Sequence, residues 1–279
     1  MYLISKIFDL SLKTNYHETI IIYSKSPNNM TNKHKKILAI IPARGGSKGI
    51  PNKNIRNFNG KPLIAYTIKQ AQSLKKYIDR IIVSTESPSI AKVAKKYGAE
   101  IPFMRPPNMS KDNSDVMGAI FFTLTKLKKD ENYKPDYVLI LQTTSPLRKK
   151  EDIIRCIKKM ENSEADSVIT LCPTHSMLFH IDSQDNLIQV NKINLKKTPN
   201  RQAMPKGYKL NGCFAYLTKT DTIIKEKTVF PKKTKAVICD TWRSIDLDEP
   251  EDWALAEIVY KAQLQIKNII KKIKKEKKK

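Results

Sequence analysis

No apolar run in the 279 residues approaches the roughly 20 that a helix needs to cross a bilayer, so no transmembrane helix is expected. There is no Walker loop of the form G-x-x-x-x-G-K-[ST] and no G-x-G-x-x-G, which excludes two familiar phosphate-binding signatures. The four cysteines, Cys156, Cys172, Cys213 and Cys239, never reach C-x-x-C spacing. That pattern argues against a disulfide framework and a zinc site. The thiols read as small buried hydrophobes in a reducing compartment. His17, His34, His175 and His180 are scattered, and none stands near a serine or cysteine in a triad-like setting. No internal repeat is evident.

Arginine is scarce too, at eight of the 52 basic residues. The net charge of +25 is therefore mainly lysine. Lys261–Lys279 holds nine Lys and one Glu, yet the rest of the chain keeps a large positive excess without it. A nucleic-acid groove concentrates its charge. A spread excess reads as solvated surface, and no nucleic-acid partner and no membrane insertion are expected. The non-enzymatic alternative is a basic module for nucleic acid or an anionic membrane surface. Its best support is the stripe of Ile266, Ile269, Ile270 and Ile273 among lysines. The few arginines gain weight, because a guanidinium offers a planar bidentate fork that lysine lacks.

What is present begins with Ile37–Ile41, an apolar run the length of one buried strand. Pro42 and Gly45–Gly46 end it, and the loop to Asn54 carries Arg44, Ser47, Lys48 and Lys53. Such a loop can hold a polyphosphate: glycines let backbone N–H groups approach, and cations offset the charge. The pattern then alternates. Helices are expected at Leu63–Leu74, Ser89–Tyr97 (closed by Gly98), Asp115–Leu127 and Asp152–Met160. Strands are expected at Arg80–Thr85, Glu100–Met104, Tyr137–Gln142 and Ser167–Leu171. This predicts an α/β, Rossmann-like fold with a mostly parallel sheet. The loops after Ile41, Thr85, Met104 and Leu141 would face the ligand.

Residues 173–209 break the alternation and read as a small inserted subdomain, with strand-like pieces at Leu178–Ile181 and Leu187–Val190. Leu210–Leu217 and Lys235–Cys239 return to the sheet, and Pro250–Ile273 is a closing helix. Asp246 and Asp248 form a D-x-D at the end of Ile245–Leu247. If that piece is a strand, alternate residues share a side and both carboxylates can face one cation. An acidic helix cap is the other reading. Residues 37–265 make the main domain and 266–279 a Lys-rich tail. Residues 1–36 precede the first strand as an extension, expected to be disordered or absent from the native chain, with a natural start at Met30.

Ala43–Asn54, A-R-G-G-S-K-G-I-P-N-K-N, resembles the nucleotide-binding signature of the acylneuraminate cytidylyltransferases, also called CMP-sialic acid synthetases. The resemblance continues, in the family's order, through Asp79–Thr85, Arg105–Asp112, Leu141–Arg148, Asn200–Pro205, Asn211–Tyr216 and Ser244–Asp248, and so covers about Lys36 to Ala262. It implies a Rossmann-like nucleotidyltransferase fold, a homodimer joined through the inserted subdomain, and a cytoplasmic location. It also implies transfer of CMP from CTP to the anomeric 2-hydroxyl of a nonulosonic acid, releasing pyrophosphate.

On the same resemblance Arg44, Gly45, Gly46, Ser47, Lys48 and Lys53 would meet the triphosphate. Asn54 and Arg105 would hold the cytosine and ribose side, with Ser84 and Ser114 as minor contributors. Gln142, Thr144, Ser145, Arg201, Gln202 and Asn211 would meet the acid. Asp246 and Asp248 would bind Mg²⁺, or Mn²⁺ in its place, and would share catalysis with Arg44 and Lys48. No side chain stands out as a general base. Q-T-T-S-P-L-R departs from the family's Q-P-T-S-P-L-R at Thr143. N-acetylneuraminate is the expected acid, with legionaminic, pseudaminic and Kdo acids as alternatives. Gly49 argues against pseudaminate, where arginine would follow G-G-S-K, and the 142–148 loop lacks the acidic residue of the Kdo enzymes.

Overall fold

The computed structural model describes residues 35–109, 116–191, 193–194, 200 and 204–276. The run Ile37–Pro42 forms β1, an interior strand of a seven-stranded sheet. Its side chains alternate between two faces and both faces are covered, which is why Ile37–Ile41 is apolar throughout rather than at every second residue. On either side of it, β4 (Arg80–Ser84) and β5 (Tyr137–Ile140) run parallel. Beyond β5 lie β10 (Tyr216–Lys219), β6 (Ser167–Thr174) and β11 (Thr234–Ile238), in that order. β10 is antiparallel to both neighbours, whereas β6 and β11 are parallel to each other.

Helices cover both faces. On one, α1 (Leu63–Gln72), α2 (Pro88–Lys96) and α4 (Lys150–Glu161) pack on Ala39, Ile41, Val83 and Leu139. On the other, α3 (Val116–Glu131) and α5 (Thr220–Glu226) pack on Leu38, Ile40, Ile82 and Val138. A third cluster joins Phe58, Leu63 and Leu247 to Trp253 and Ala256 of α6 (Pro250–Glu276). Phe58 belongs to a short hairpin of β2 (Asn57–Phe58) and β3 (Lys61–Pro62). Among the described residues no helix is long and apolar enough to cross a membrane.

Several expectations change. Glu100–Met104 is not a strand: only Glu100 bridges to Ile82, and Pro102, without an N–H, stops the ladder. Leu210–Leu217 divides at Gly212, whose φ of +66° turns the chain. The piece before the turn is β9 (Gly207–Leu210), which pairs antiparallel with β6; the piece after it is β10. The 173–209 segment thus leaves and returns along one ribbon, and between lies a hairpin of β7 (Phe179–Ile181) and β8 (Leu187–Gln189). Ile245–Leu247 is irregular rather than a strand. The expected closing helix is α6, which runs on to Glu276. The helix α5 and the β2–β3 hairpin were not anticipated.

Two buried charged groups hold the loops. Arg148 donates from Nε to Gln70, from Nη1 to the carbonyls of Cys213 and Phe214, and from Nη2 to Thr67 and the Gln142 carbonyl. All five N–H donors are used. Burial pushes its pKa down to about 10, so the guanidinium stays charged at neutral pH. Asp152 receives both Nη groups of Arg243, Nη2 of Arg155 and the Lys149 N–H. It ties α4 to the turn Thr241–Arg243 just before the D-x-D.

Candidate active site

β1, β4 and β5 are parallel neighbours, so their C-terminal loops share one edge of the sheet, where α/β proteins place ligands. The loop after β1 is fixed at several points. Gly45 N–H donates to Glu86 Oε1 at 2.6 Å. Buried Asn54 donates to the Arg44 carbonyl at 2.8 Å and accepts from Thr143 Oγ1 at 2.5 Å, pinning the loop to the chain after β5. Lys53 Nζ donates to the Leu247 carbonyl and pairs with Asp248 at 3.2 Å. At Gly49 the loop is so close to the Asp248 carbonyl that a Cβ would collide with it. The cationic loop, the chain after β5 and the D-x-D segment are thus built against one another.

Two cavities adjoin. One, of about 570 Å³, is lined by Arg44, Ser47, Lys48, Lys53, Asn54 and Arg105. The other, of about 920 Å³, has apolar walls from Met117, Ile120, Tyr216, Val229 and Phe230, with Asp246 among its polar groups. Gln142 and Asp248 line both. A cationic cleft meeting a larger one of mixed polar and apolar lining suits two reactants, one of them a polyanion, that meet near Gln142 and Asp248.

Depth separates the expected residues. Arg44, Ser47, Lys48, Lys53, Asn54, Arg105, Gln142, Thr144 and Asp248 line the cationic cleft. Lys53 and Asn54 differ from expectation in that their polar groups also bind the protein itself, so they hold the loop. Gly45 is engaged by Glu86, and Gly46 has open space around it. Ser84 is buried at the end of β4 with its Oγ unpartnered, and lines neither cavity. Ser145, against the Gly212 turn, and Asn211 are also buried, with the Ser145 Oγ and both polar atoms of the Asn211 amide unpartnered. Ser114, Arg201 and Gln202 lie outside the described residues.

The D-x-D does not present two equivalent carboxylates, because its backbone is not extended strand. Asp248 is exposed. Asp246 is half-buried, and its Oδ1 is sequestered without a hydrogen-bond partner. Burial pushes the Asp246 carboxyl above the usual range, and the charge of Asp248 adds to this against a hydrogen bond from Thr144 and the charge of Lys53. An orphaned carboxylate oxygen beside a second carboxylate fits a hard divalent cation. Mg²⁺ characteristically takes one or two protein carboxylates and completes its shell with water and phosphate. Among the described residues no cluster of three His, Cys, Asp or Glu offers a fuller cage.

A family model described as cytidylyltransferase matches residues 38–274. The chain belongs to the cytidylyltransferase family. A CMP-N,N'-diacetyllegionaminic acid synthase of Legionella pneumophila is 39% identical over 226 residues, covering 80% of this chain and 95% of its own. An N-acylneuraminate cytidylyltransferase of Escherichia coli is 29% identical over 222 residues, covering 79% of this chain and 51% of its own. The solved structure of CMP:2-keto-3-deoxy-manno-octonic acid synthetase complexed with CTP superposes with a TM-score of 0.61 at 14% identity, over 82% of this chain and 99% of that one. At that identity the match establishes the fold of this cytidylyltransferase: a mostly parallel sheet flanked by helices.

Sequence reasoning passed over Glu86, two residues past the end of β4. Its signal was an acidic residue in the loop after a buried strand, on the edge of the sheet where the ligand was expected.

Proposed function

We propose that this chain transfers CMP from CTP to the anomeric 2-hydroxyl of a nonulosonic acid, and that the acid is of the N,N'-diacetylated, legionaminic type. The observation that carries the reading is the pair of cavities sharing Gln142 and Asp248. The cationic cleft takes the triphosphate. The larger cavity takes the acid, and its apolar wall of Met117, Val229 and Phe230 gives acetamido methyl groups a surface to pack on. The 39% identity to a diacetyllegionaminate enzyme, against 29% to an N-acylneuraminate enzyme, supports the same choice. Gly49 weighs against pseudaminate, since an arginine there would strike the Asp248 carbonyl.

The attacking 2-hydroxyl displaces pyrophosphate from the α-phosphate. Arg44 and Lys48 offset charge on the transferring group, and the chain after β5 orients the acid through Gln142. Chemistry of this kind needs alignment and charge neutralisation more than a covalent intermediate. Asp246 and Asp248 would hold Mg²⁺, or Mn²⁺, which supplies Lewis-acid polarisation of phosphate oxygens when bound. The exposed apolar side chains of the inserted hairpin, Ile181 and Leu187 among them, support a homodimer joined there.

The test is pyrophosphate release from CTP and Mg²⁺ across a panel of diacetyllegionaminic, N-acetylneuraminic, pseudaminic and Kdo acids. Preference for the first is expected. Preference for N-acetylneuraminate would keep the reaction and overturn the acid. A folded protein that binds no CTP would overturn both. Asp248→Asn should fold normally and lose most of its turnover; near-normal Mg²⁺-dependent activity would remove Asp248 from the chemistry.

A further inference from the structure

The cleft just described is lined with cations, yet a carboxylate stands inside its wall. The Glu86 side chain is 15% exposed and that of Arg105 only 5%. Glu86 Oε2 accepts from Arg105 Nη2 at 2.8 Å, while Oε1 accepts from the Gly45 N–H at 2.6 Å. One carboxylate therefore links the first glycine of the cationic loop to the arginine expected to meet the base. Its own place is rigid. Ser87 caps α2 and donates its N–H to Thr85 Oγ1, and the Arg105 N–H donates to the Thr85 carbonyl at 2.8 Å. A Cβ on Gly45 would stand 3.2 Å from Ser87 Cβ and 3.3 Å from Glu86 Oε1, so the loop is packed onto this turn.

A carboxylate beside a triphosphate site works against anion binding unless it is neutralised and its bonds do something else. Here its two bonds fix the direction of a guanidinium and of a loop amide. Direction matters for a base: cytosine presents N3 as an acceptor, whereas uracil presents N3–H as a donor. A guanidinium held in one orientation therefore separates CTP from UTP, and a loose one does not.

We propose that Glu86 is the positioning residue of the nucleotide cleft, setting Arg105 for cytosine and anchoring the cationic loop at Gly45. This deepens the CTP-dependent reading above and rests on it. In Glu86→Gln one oxygen can still accept from Gly45, but the amide NH₂ cannot accept from Arg105. The measurement is calorimetric binding of CTP and UTP to wild type, Glu86→Gln and Glu86→Asp, alongside steady-state kinetics and melting temperature. Glu86→Gln should weaken CTP binding about tenfold, the loss of one charge-assisted hydrogen bond. The preference for CTP over UTP should fall by a similar factor. The melting temperature should hold, and Glu86→Asp should recover part of the preference. Unchanged CTP affinity and CTP/UTP ratio in Glu86→Gln would overturn the proposal while leaving the CTP reading intact. Loss of melting temperature and kcat at unchanged nucleotide affinity would overturn it in favour of a purely structural Glu86. A wild type that binds no CTP would overturn the underlying reading and the proposal with it.

Discussion

Replacing Gly49 by alanine tests whether the cationic loop and the D-x-D segment must touch. The backbone would accept the change, since the φ of Gly49 lies outside the left-handed region. The space would not. The added methyl would lie well under 3.0 Å from the Asp248 carbonyl oxygen and 3.2 Å from both carboxylate oxygens of Glu249. The exposed Glu249 side chain can swing away, but a backbone carbonyl cannot. Restoring an ordinary contact requires the loop and the segment to separate by about 1 Å. That shift carries the Asp248 carboxylate away from Arg44 and Lys48 by a similar amount. A misplacement of this size costs about 100-fold in rate when the chemistry depends on alignment, or roughly 2.7 kcal/mol of barrier. Overpacking at one site costs about 1–3 kcal/mol of stability, so the fold should survive. The assay is steady-state pyrophosphate release from CTP, with a thermal melt of the same sample. A kcat about 100-fold lower and a melting temperature lower by roughly 5 °C are expected. A folded Gly49→Ala protein within about threefold of wild-type kcat would refute the reasoning.

Other consequences are separately measurable. Asp152→Asn removes the carboxylate that takes both Nη groups of Arg243, a side chain only 4% exposed, and leaves it Asp240 at Nε alone; it should cost about 3 kcal/mol in urea unfolding. Burial alone would raise the Asp152 carboxyl, but Arg243, the Lys149 N–H and Arg155 outweigh it and hold the group below the usual range. Its contribution is complete above the unfolded value of about 3.9 and disappears as pH falls through the lower folded value. The acid limb of wild-type stability should therefore be steeper than that of Asp152→Asn, and parallel limbs would contradict the assignment. All four cysteines are free and buried, with burial pushing Cys213 and Cys239 up to about 12. No thiol should react with an aromatic disulfide reagent before unfolding, and prompt titration of one would contradict that burial. Deleting residues 274–279 removes only exposed helix end among the described residues, so turnover should persist; loss of turnover in a folded protein would give that end a role.

The parallel half of the fold was legible because Ile37–Ile41, Arg80–Ser84 and Tyr137–Ile140 are buried on both faces and therefore unbroken in sequence. Antiparallel β10 was not, since Leu210–Leu217 reads as one strand until Gly212 is known to turn. Glu100–Met104 has strand composition, but Pro102 withholds the donor that a ladder needs. At the site, residue type was legible and depth was not. Ser84, Ser145 and Asn211 carry polar groups suited to binding, but the sequence does not reveal that they are buried. Asn54 and Lys53 carry the right groups too, and apply them largely to the loop's own architecture. Glu86 was passed over because an acid among cations reads as a surface pair until both of its oxygens are seen in use.

Arg148 bears on how this enzyme can change over time. Its five bonds reach α1, the chain after β5, and the turn between β9 and β10, whose carbonyls belong to Cys213 and Phe214. Gln142, whose carbonyl it holds, lines both cavities, and Cys213 lines the larger. The two reactant sites therefore share one desolvated guanidinium as their common reference point. A substitution that shifts the β9–β10 turn to admit a new acid also shifts Gln142 at the mouth of the nucleotide cleft. Acid specificity can drift freely only through wall residues that Arg148 does not hold, such as Met117, Val229 and Phe230. Divergence of substrate at constant nucleotide is thereby steered away from the β9–β10 turn and toward walls such as α3 and the segment after α5.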